Sequence, residues 1–248
     1  MFVSNFIIFF LGMIVGSFLN VIIYRLPRGE SIVLPPSHCP YCQHRLGIFD
    51  LFPVLSYIGL KGRCRYCRSP ISWRYPAVEL LTGILTGIWF SVYGLNIAAI
   101  PYLLLTYVCI AIAFIDLDHQ IIPDRLTLPM MILGLLVRLY QGNLFEALIG
   151  GFVGGGILMA IILVYPKGMG MGDVKFLAMA GIWLGWEKAV VTLFLGSLIG
   201  TVLLVPFMGL KKIDRRTPVP FGPFLALGVL FILYGGKYFV QILPWGGL

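Results

Sequence analysis

The chain is expected to fold as an all-α polytopic membrane protein, with about eight transmembrane helices and one small polar domain inserted after the first. Three observations lead there. Of its 248 residues 59% are hydrophobic and 11% charged, and the mean hydropathy is +0.96, a balance that excludes a soluble globular chain. Apolar runs recur along most of the sequence, each approaching the length that a bilayer core of about 30 Å requires. A single segment, 25–77, departs from this composition and holds Cys39, Cys42, Cys64 and Cys67.

The first apolar run, 2–24, has no basic stretch before it and no small-residue cleavage site, so it is expected to remain as a membrane helix. Further runs lie at 78–93, 97–115, 126–140, 144–165, 174–186, 188–210 and 221–243, each bounded by charge, Gly or Pro. The runs 126–140 and 174–186 are short, extending roughly 22 and 20 Å at 1.5 Å per residue, so their ends are expected to be recessed. Eight crossings put both termini on one side. The loops on the other side, 25–77, 116–125, 166–173 and 211–220, together with Lys175, hold all 18 Lys and Arg except Arg138, Lys188 and Lys237. The positive-inside rule then places those loops in the cytoplasm and the termini outside. The net charge of +8 is read as this orientation signal and not as a nucleic-acid footprint, so no polynucleotide partner is expected. No internal repeat or low-complexity tract is evident. The expected organisation is a first transmembrane helix over 1–24, a cytoplasmic domain over 25–77 and a transmembrane domain over 78–248.

Within that cytoplasmic segment, Cys39-Pro-Tyr-Cys42 and Cys64-Arg-Tyr-Cys67 are two C-x2-C knuckles. Two residues between thiolates let a tight turn aim both sulfurs at one ion, and four thiolates complete a tetrahedral zinc site with no open position. A domain of this size lacks the core to hold itself together, so a zinc-ribbon-like fold with a structural zinc ion is expected. Cytoplasmic placement disfavours disulfides. Arg63, Arg65 and Arg68 would offset the anionic cluster; His38 and His44 flank it and are read as loop residues, and Cys109 as a small buried hydrophobe.

Only ten residues are acidic, and carboxylates close to hydrocarbon are costly and usually functional. Asp118 and Asp124 are read as solvated or capping groups, Asp124 at the start of the helix after Pro123. Asp116 follows the apolar stretch Ala111–Ile115 directly, and Asp173 follows Gly168-Met-Gly-Met-Gly172 at the start of a short helix. Two carboxylates at the membrane edge fit an acid and base pair that shares one proton and hydrolyses a peptide bond with water. Asp116 at a helix C-terminus is expected to act as the acid, and Asp173 at an N-terminus as the base.

These blocks together resemble the bacterial type 4 prepilin peptidases, membrane enzymes of the GxGD aspartyl protease group. The likeness runs almost end to end, through GSFLNVIIYRLP at Gly16–Pro27, PPSHCPYC, FDLFPVLSYIGLKGRCRYC, ISWRYPAVE, IDLDHQIIPD at Ile115–Asp124, GMGMGDVK and PFGPFLA. It implies a multi-pass protein of the bacterial cytoplasmic (inner) membrane that cleaves prepilins or pseudopilins after the glycine ending a basic leader, at the cytoplasmic face. It further implies methylation of the new N-terminal residue by S-adenosylmethionine. The two catalytic aspartates of that family match Asp116 and Asp173, with Asp118 the neighbouring alternative to Asp116, and the cysteine loop matches its bifunctional members. No strand leads into a G-x-G-x-x-G loop, so the methyl-donor site stays unassigned, with Glu30, Glu79 and the basic residues of the first loop as candidates, Glu79 being read also as a favourable charge at a helix N-terminus. Gly150, Gly151, Gly154, Gly155 and Gly156 are read as helix packing. Lys175 is read as an interfacial anchor, and Asp118 and Asp124 also as receptors for a basic leader. Two other classes are consistent with the acids: a metal-dependent enzyme acting on lipid through Asp116, Asp118, His119 and Asp173, and a proton-coupled transporter.

Overall fold

The structure, a computed structural model, describes residues 2–165, 169–209 and 219–239. Lys167, Gly168 and the basic run Lys211, Lys212, Arg215 and Arg216, on which part of the charge asymmetry rests, lie outside the described residues. The helices are α1 (Phe2–Arg25), the short α2 (Leu55–Gly59), α3 (Arg74–Tyr93), α4 (Ile100–His119), α5 (Asp124–Tyr140), α6 (Leu144–Val164), α7 (Met171–Leu184), α8 (Trp186–Gly209) and α9 (Gly222–Phe239). Over its described residues each expected apolar run is therefore mainly helical, and no strand occurs among the described residues. Five stretches are long and apolar enough to cross a membrane: Asn5–Arg28, Arg74–Tyr93, Ile97–His119, Leu144–Val164 and Trp186–Leu204. At 17 and 14 residues, α5 and α7 fall below that length, as does the apolar stretch Gly222–Gly235 of α9.

The chain divides into two compact units, Met1–Ala111 and Ile112–Leu248. In the first, α1 packs tightly on α3 because small residues let the backbones approach. A Cβ on Gly16 would stand 2.7 Å from the Glu79 Cα, and one on Gly83 3.0 Å from the Phe9 carbonyl oxygen. The Thr82 and Thr86 hydroxyls donate back to the Val78 and Thr82 carbonyls at 2.7 Å each, which satisfies them inside an apolar interface.

In the second unit α7 is the centre. Phe176, Leu177, Met179 and Ala180 are fully buried. Glycines line its crossing with α6: Gly150 and Gly181 face each other backbone to backbone, and a Cβ on Gly154 would stand 2.5 Å from the Leu177 carbonyl oxygen. The packing role expected of this glycine group holds for Gly150, Gly151, Gly154 and Gly155, whereas Gly156 faces open space. On the other flank Trp183 donates its indole N–H to the Met130 carbonyl of α5 at 2.9 Å, over the space that Gly134 leaves free. Gly196 and Gly228 play the same part between α8 and α9.

Candidate active site

Asp116 lies in the last turn of α4, just after the fully buried Ile115, and is itself 5% exposed. Its Oδ2 accepts a hydrogen bond from the Gly222 N–H at 2.8 Å. Gly222 is the first residue of α9, so the carboxylate faces the positive end of a second helix. Asp173, also buried, is the third residue of α7 and closes a reciprocal cap: its Oδ2 accepts from the Gly170 N–H at 3.2 Å, while its own N–H donates to the Gly170 carbonyl. Ile122 joins the two sides. A Cβ on Gly172 would stand 2.9 Å from the Ile122 Cβ, and one on Gly222 3.2 Å from its Cδ1. The glycine before Asp173 and the glycine bonded to Asp116 thus rest on one side chain.

This geometry changes the electrostatic expectation. The contrast between Asp116 at a helix C-terminus and Asp173 at an N-terminus considers α4 alone, and α9 adds an N-terminal N–H to Asp116. Both carboxylates therefore face helix N-termini, and dipoles do not divide them into acid and base. Gly222 was not singled out by the sequence reading, although it lies within the PFGPFLA block, because the meaning of a glycine depends on what stands opposite it.

The remaining acids separate from this pair. Asp118 and His119 are exposed, and among the described residues only the four cysteines bring three or more metal-ligating atoms together. The set Asp116, Asp118, His119 and Asp173 does not gather as ligands. Asp124 starts α5 as expected, after Pro123; both its oxygens accept from the Lys175 ammonium at 2.8 Å. Lys175 is thus tied to α5 and Asp124 is already neutralised. Glu79 lies in the second turn of α3 and not at its start. It is buried and accepts from the Val54 N–H at 2.7 Å, whereas Glu30 is exposed.

In the first unit, the sulfurs of Cys39, Cys42, Cys64 and Cys67 all lie within 4.8 Å of one another, and all are free thiols. Thiolates around one zinc at about 2.3 Å would be separated by about 3.8 Å, the distance between Cys39 and Cys67. The donor set fits the ion. The two knuckles repeat one hydrogen-bond pattern, a correspondence the sequence reading passed over. Cys39 N–H donates to His44 and Cys64 N–H to Ser69; Gln43 donates back to Cys39 and Arg68 to Cys64. Gln43 and Arg68 share a left-handed backbone, φ 58° and 60°. The Ser69 hydroxyl, 3.0 Å from the Cys67 sulfur, draws that thiol down to about 6 and so favours the ligating thiolate. Asp50 closes the second knuckle by accepting from Arg65 at 2.6 Å and Tyr66 at 3.0 Å.

Comparison with known proteins adds an independent finding. A model of the bacterial peptidase A24 N-terminal domain matches residues 10–93, and one of the type IV leader peptidase family matches residues 103–205. A prepilin leader peptidase/N-methyltransferase of Stutzerimonas stutzeri is 36% identical over 96% of this chain and 93% of its own length. The chain belongs to the type IV leader peptidase family. Proteins of the same name from Aeromonas hydrophila and Pseudomonas aeruginosa are 37% and 36% identical over 92% and 96% of this chain, and over 90% and 92% of their own lengths. No solved structure matches. Asp116 and Asp173 both fall in the stretch matched by the leader peptidase model, and the four cysteines in that of the A24 N-terminal domain.

Proposed function

We propose that this leader peptidase cleaves the basic leader from prepilins or pseudopilins with Asp116 and Asp173 as its catalytic pair, and then methylates the new N-terminus. The observation that carries the peptidase reading is that Asp116 of α4 and Asp173 of α7 are both buried and that Ile122 packs against both the glycine before Asp173 and the glycine bonded to Asp116. Like charges held close share one proton. The ionised member takes a proton from water as its oxygen attacks the scissile carbonyl carbon, and the protonated member gives its proton to the carbonyl oxygen. Collapse of the tetrahedral adduct breaks the C–N bond and returns a proton to the departing amine. The Gly222 and Gly170 N–H groups hold one oxygen of each carboxylate, leaving the other oxygens for water and substrate.

The cytoplasmic face is the proposed side of cleavage, with eight crossings and both termini outside, in the bacterial inner membrane. Residues 1–24 serve as the first helix, 25–77 as the cytoplasmic domain and 78–248 as the peptidase domain. Cys39, Cys42, Cys64 and Cys67 would hold one structural zinc ion, whose closed tetrahedron supplies folding energy and no chemistry. Methylation requires a donor of the S-adenosylmethionine kind. Among the described residues there is no strand, glycine loop and helix of the sort that cradles an adenosyl group; Glu79 is engaged by the Val54 N–H, and no residue is assigned to the donor.

The test is incubation of the purified full-length enzyme with a precursor pilin, with and without S-adenosylmethionine, read by intact mass. Leader loss is expected in chelator, with a methyl gain when donor is present, and Asp116→Asn and Asp173→Asn are each expected to abolish leader loss. Cleavage surviving either substitution overturns the dyad.

A further inference from the structure

The segment between Gly47 and Lys61 belongs by sequence to the polar insertion, yet its composition is that of a membrane surface. It contains one charge, Asp50, whose side chain is 6% exposed and held by Arg65 and Tyr66. Its apolar side chains point outward: Ile48 and Phe49 are each 82% exposed, Leu55 58% and Ile58 65%. A contiguous apolar surface of this kind marks contact with something other than water.

Its position along α1 says what that is. The Phe52 ring lies 5.2 Å from the Phe10 ring of α1, centroid to centroid. Val54 donates its N–H to Glu79, whose Cα packs against Gly16 of α1. The chain leaves α1 at Arg25, whose guanidinium donates to the Ser31 and Pro36 carbonyls. Counted back from Arg25 at 1.5 Å per residue, Gly16 lies roughly 13 Å and Phe10 roughly 22 Å along the helix. Both depths fall inside a hydrocarbon core of about 30 Å, so residues 52–54 sit at acyl-chain level.

We infer that residues 48–59 form a re-entrant element that enters the bilayer beside α1 and α3 from the Arg25 side and returns, with lipid acyl chains covering Ile48, Phe49, Leu55 and Ile58. Backbone polar groups at that depth must be satisfied by protein, and the turn from Phe52 to Leu60 pairs most of its own. Ser56, Ile58 and Leu60 donate to the Phe52, Val54 and Ser56 carbonyls, and Pro53 has no N–H to satisfy. Val54, at φ 61°, aims its N–H away from its own turn and finds the Glu79 carboxylate. A buried Glu79 is thereby accounted for as the acceptor that lets the chain reverse inside hydrocarbon. The inference rests on α1 as a membrane helix and is independent of the dyad.

The experiment places a photo-crosslinking phenylalanine analogue at position 49, 58 or 41 of the full-length enzyme in nanodiscs of phosphatidylethanolamine and phosphatidylglycerol. Tyr41, 71% exposed on the first knuckle, is the control. Irradiation is expected to add one phospholipid mass at 49 and 58 and none at 41. The unmodified protein provides a second reading: in hydroxyl-radical footprinting, Phe49 is expected to escape oxidation while Tyr41 is oxidised. Lipid adducts no more frequent at 49 and 58 than at 41, equal oxidation of Phe49 and Tyr41, or adducts at 49 formed only with added prepilin would each overturn the inference.

Discussion

Gly222→Ala tests the active-site geometry at a position that carries no functional group of its own. The added methyl would stand 2.7 Å from the Asp116 Oδ2, 3.1 Å from its Cγ and 3.2 Å from the Ile122 Cδ1. The first distance is too short for any carbon to keep, and the carboxylate must turn away from the Gly222 N–H it accepts at 2.8 Å. A hydrogen bond to a charged group contributes about 1.5–3 kcal/mol, and about 1.4 kcal/mol corresponds to a factor of ten in rate. If the bond is used fully in the transition state, kcat falls roughly 10- to 100-fold, with KM little changed. The assay is steady-state cleavage of a precursor pilin, with Gly156→Ala as the control, since a Cβ there meets nothing within 4 Å. Thermal unfolding of both proteins checks that the helices still pack. A folded Gly222→Ala enzyme with the kcat of the control would refute the positioning of Asp116 by α9.

Further outcomes follow from other contacts. Cys64→Ser is expected to lower bound zinc from one ion per chain to none by elemental analysis, with increased proteolysis between the knuckles. Full zinc retention would show that the four sulfurs do not act together. Lys175→Ala leaves the Asp124 pair broken, but both partners are part exposed, so the cost is expected to be below about 1 kcal/mol and the melting temperature nearly unchanged; a large loss would mean the pair is buried in the bilayer. Asp50→Asn weakens the acceptor that holds Arg65 at 2.6 Å and Tyr66 at 3.0 Å, so it is expected to increase proteolysis within the first unit, and protection equal to that of the parent would contradict the ion pair.

Much of this fold is legible in the sequence because lipid imposes a simple code. Apolar runs bounded by charge become helices, and each of the eight runs is mainly helical over its described residues. The proposed dyad is picked out for a related reason: acids are so scarce beside hydrocarbon that Asp116 and Asp173 stand out before any coordinate is known. What resisted reading depends on partners remote in sequence. Gly222 reaches Asp116 across 106 residues, and that bond cancels a dipole argument built on α4 alone. Asp124 looks like a cap by position, but Lys175, 51 residues away, takes its charge. The apolar stretch around Phe52 hides in a polar insertion because Asp50 and Pro53 interrupt it, and only the contact with Phe10 fixes its depth. Glu79 reads as an end-of-helix charge until Val54 is seen to need it.

The crossing of α6 and α7 bears on how the chain is built in the cell. With 14 residues and a length of about 21 Å, α7 is too brief to be recognised by insertion machinery as a stop on its own. Its surface is spent on neighbours, and glycines at 150 and 181 bring the two backbones together without side chains between them. The second helix is therefore best delivered to the membrane already paired with the first, as a preformed hairpin. Widening that seam would act during biogenesis, as degraded nascent protein, before any effect on the mature enzyme could be measured.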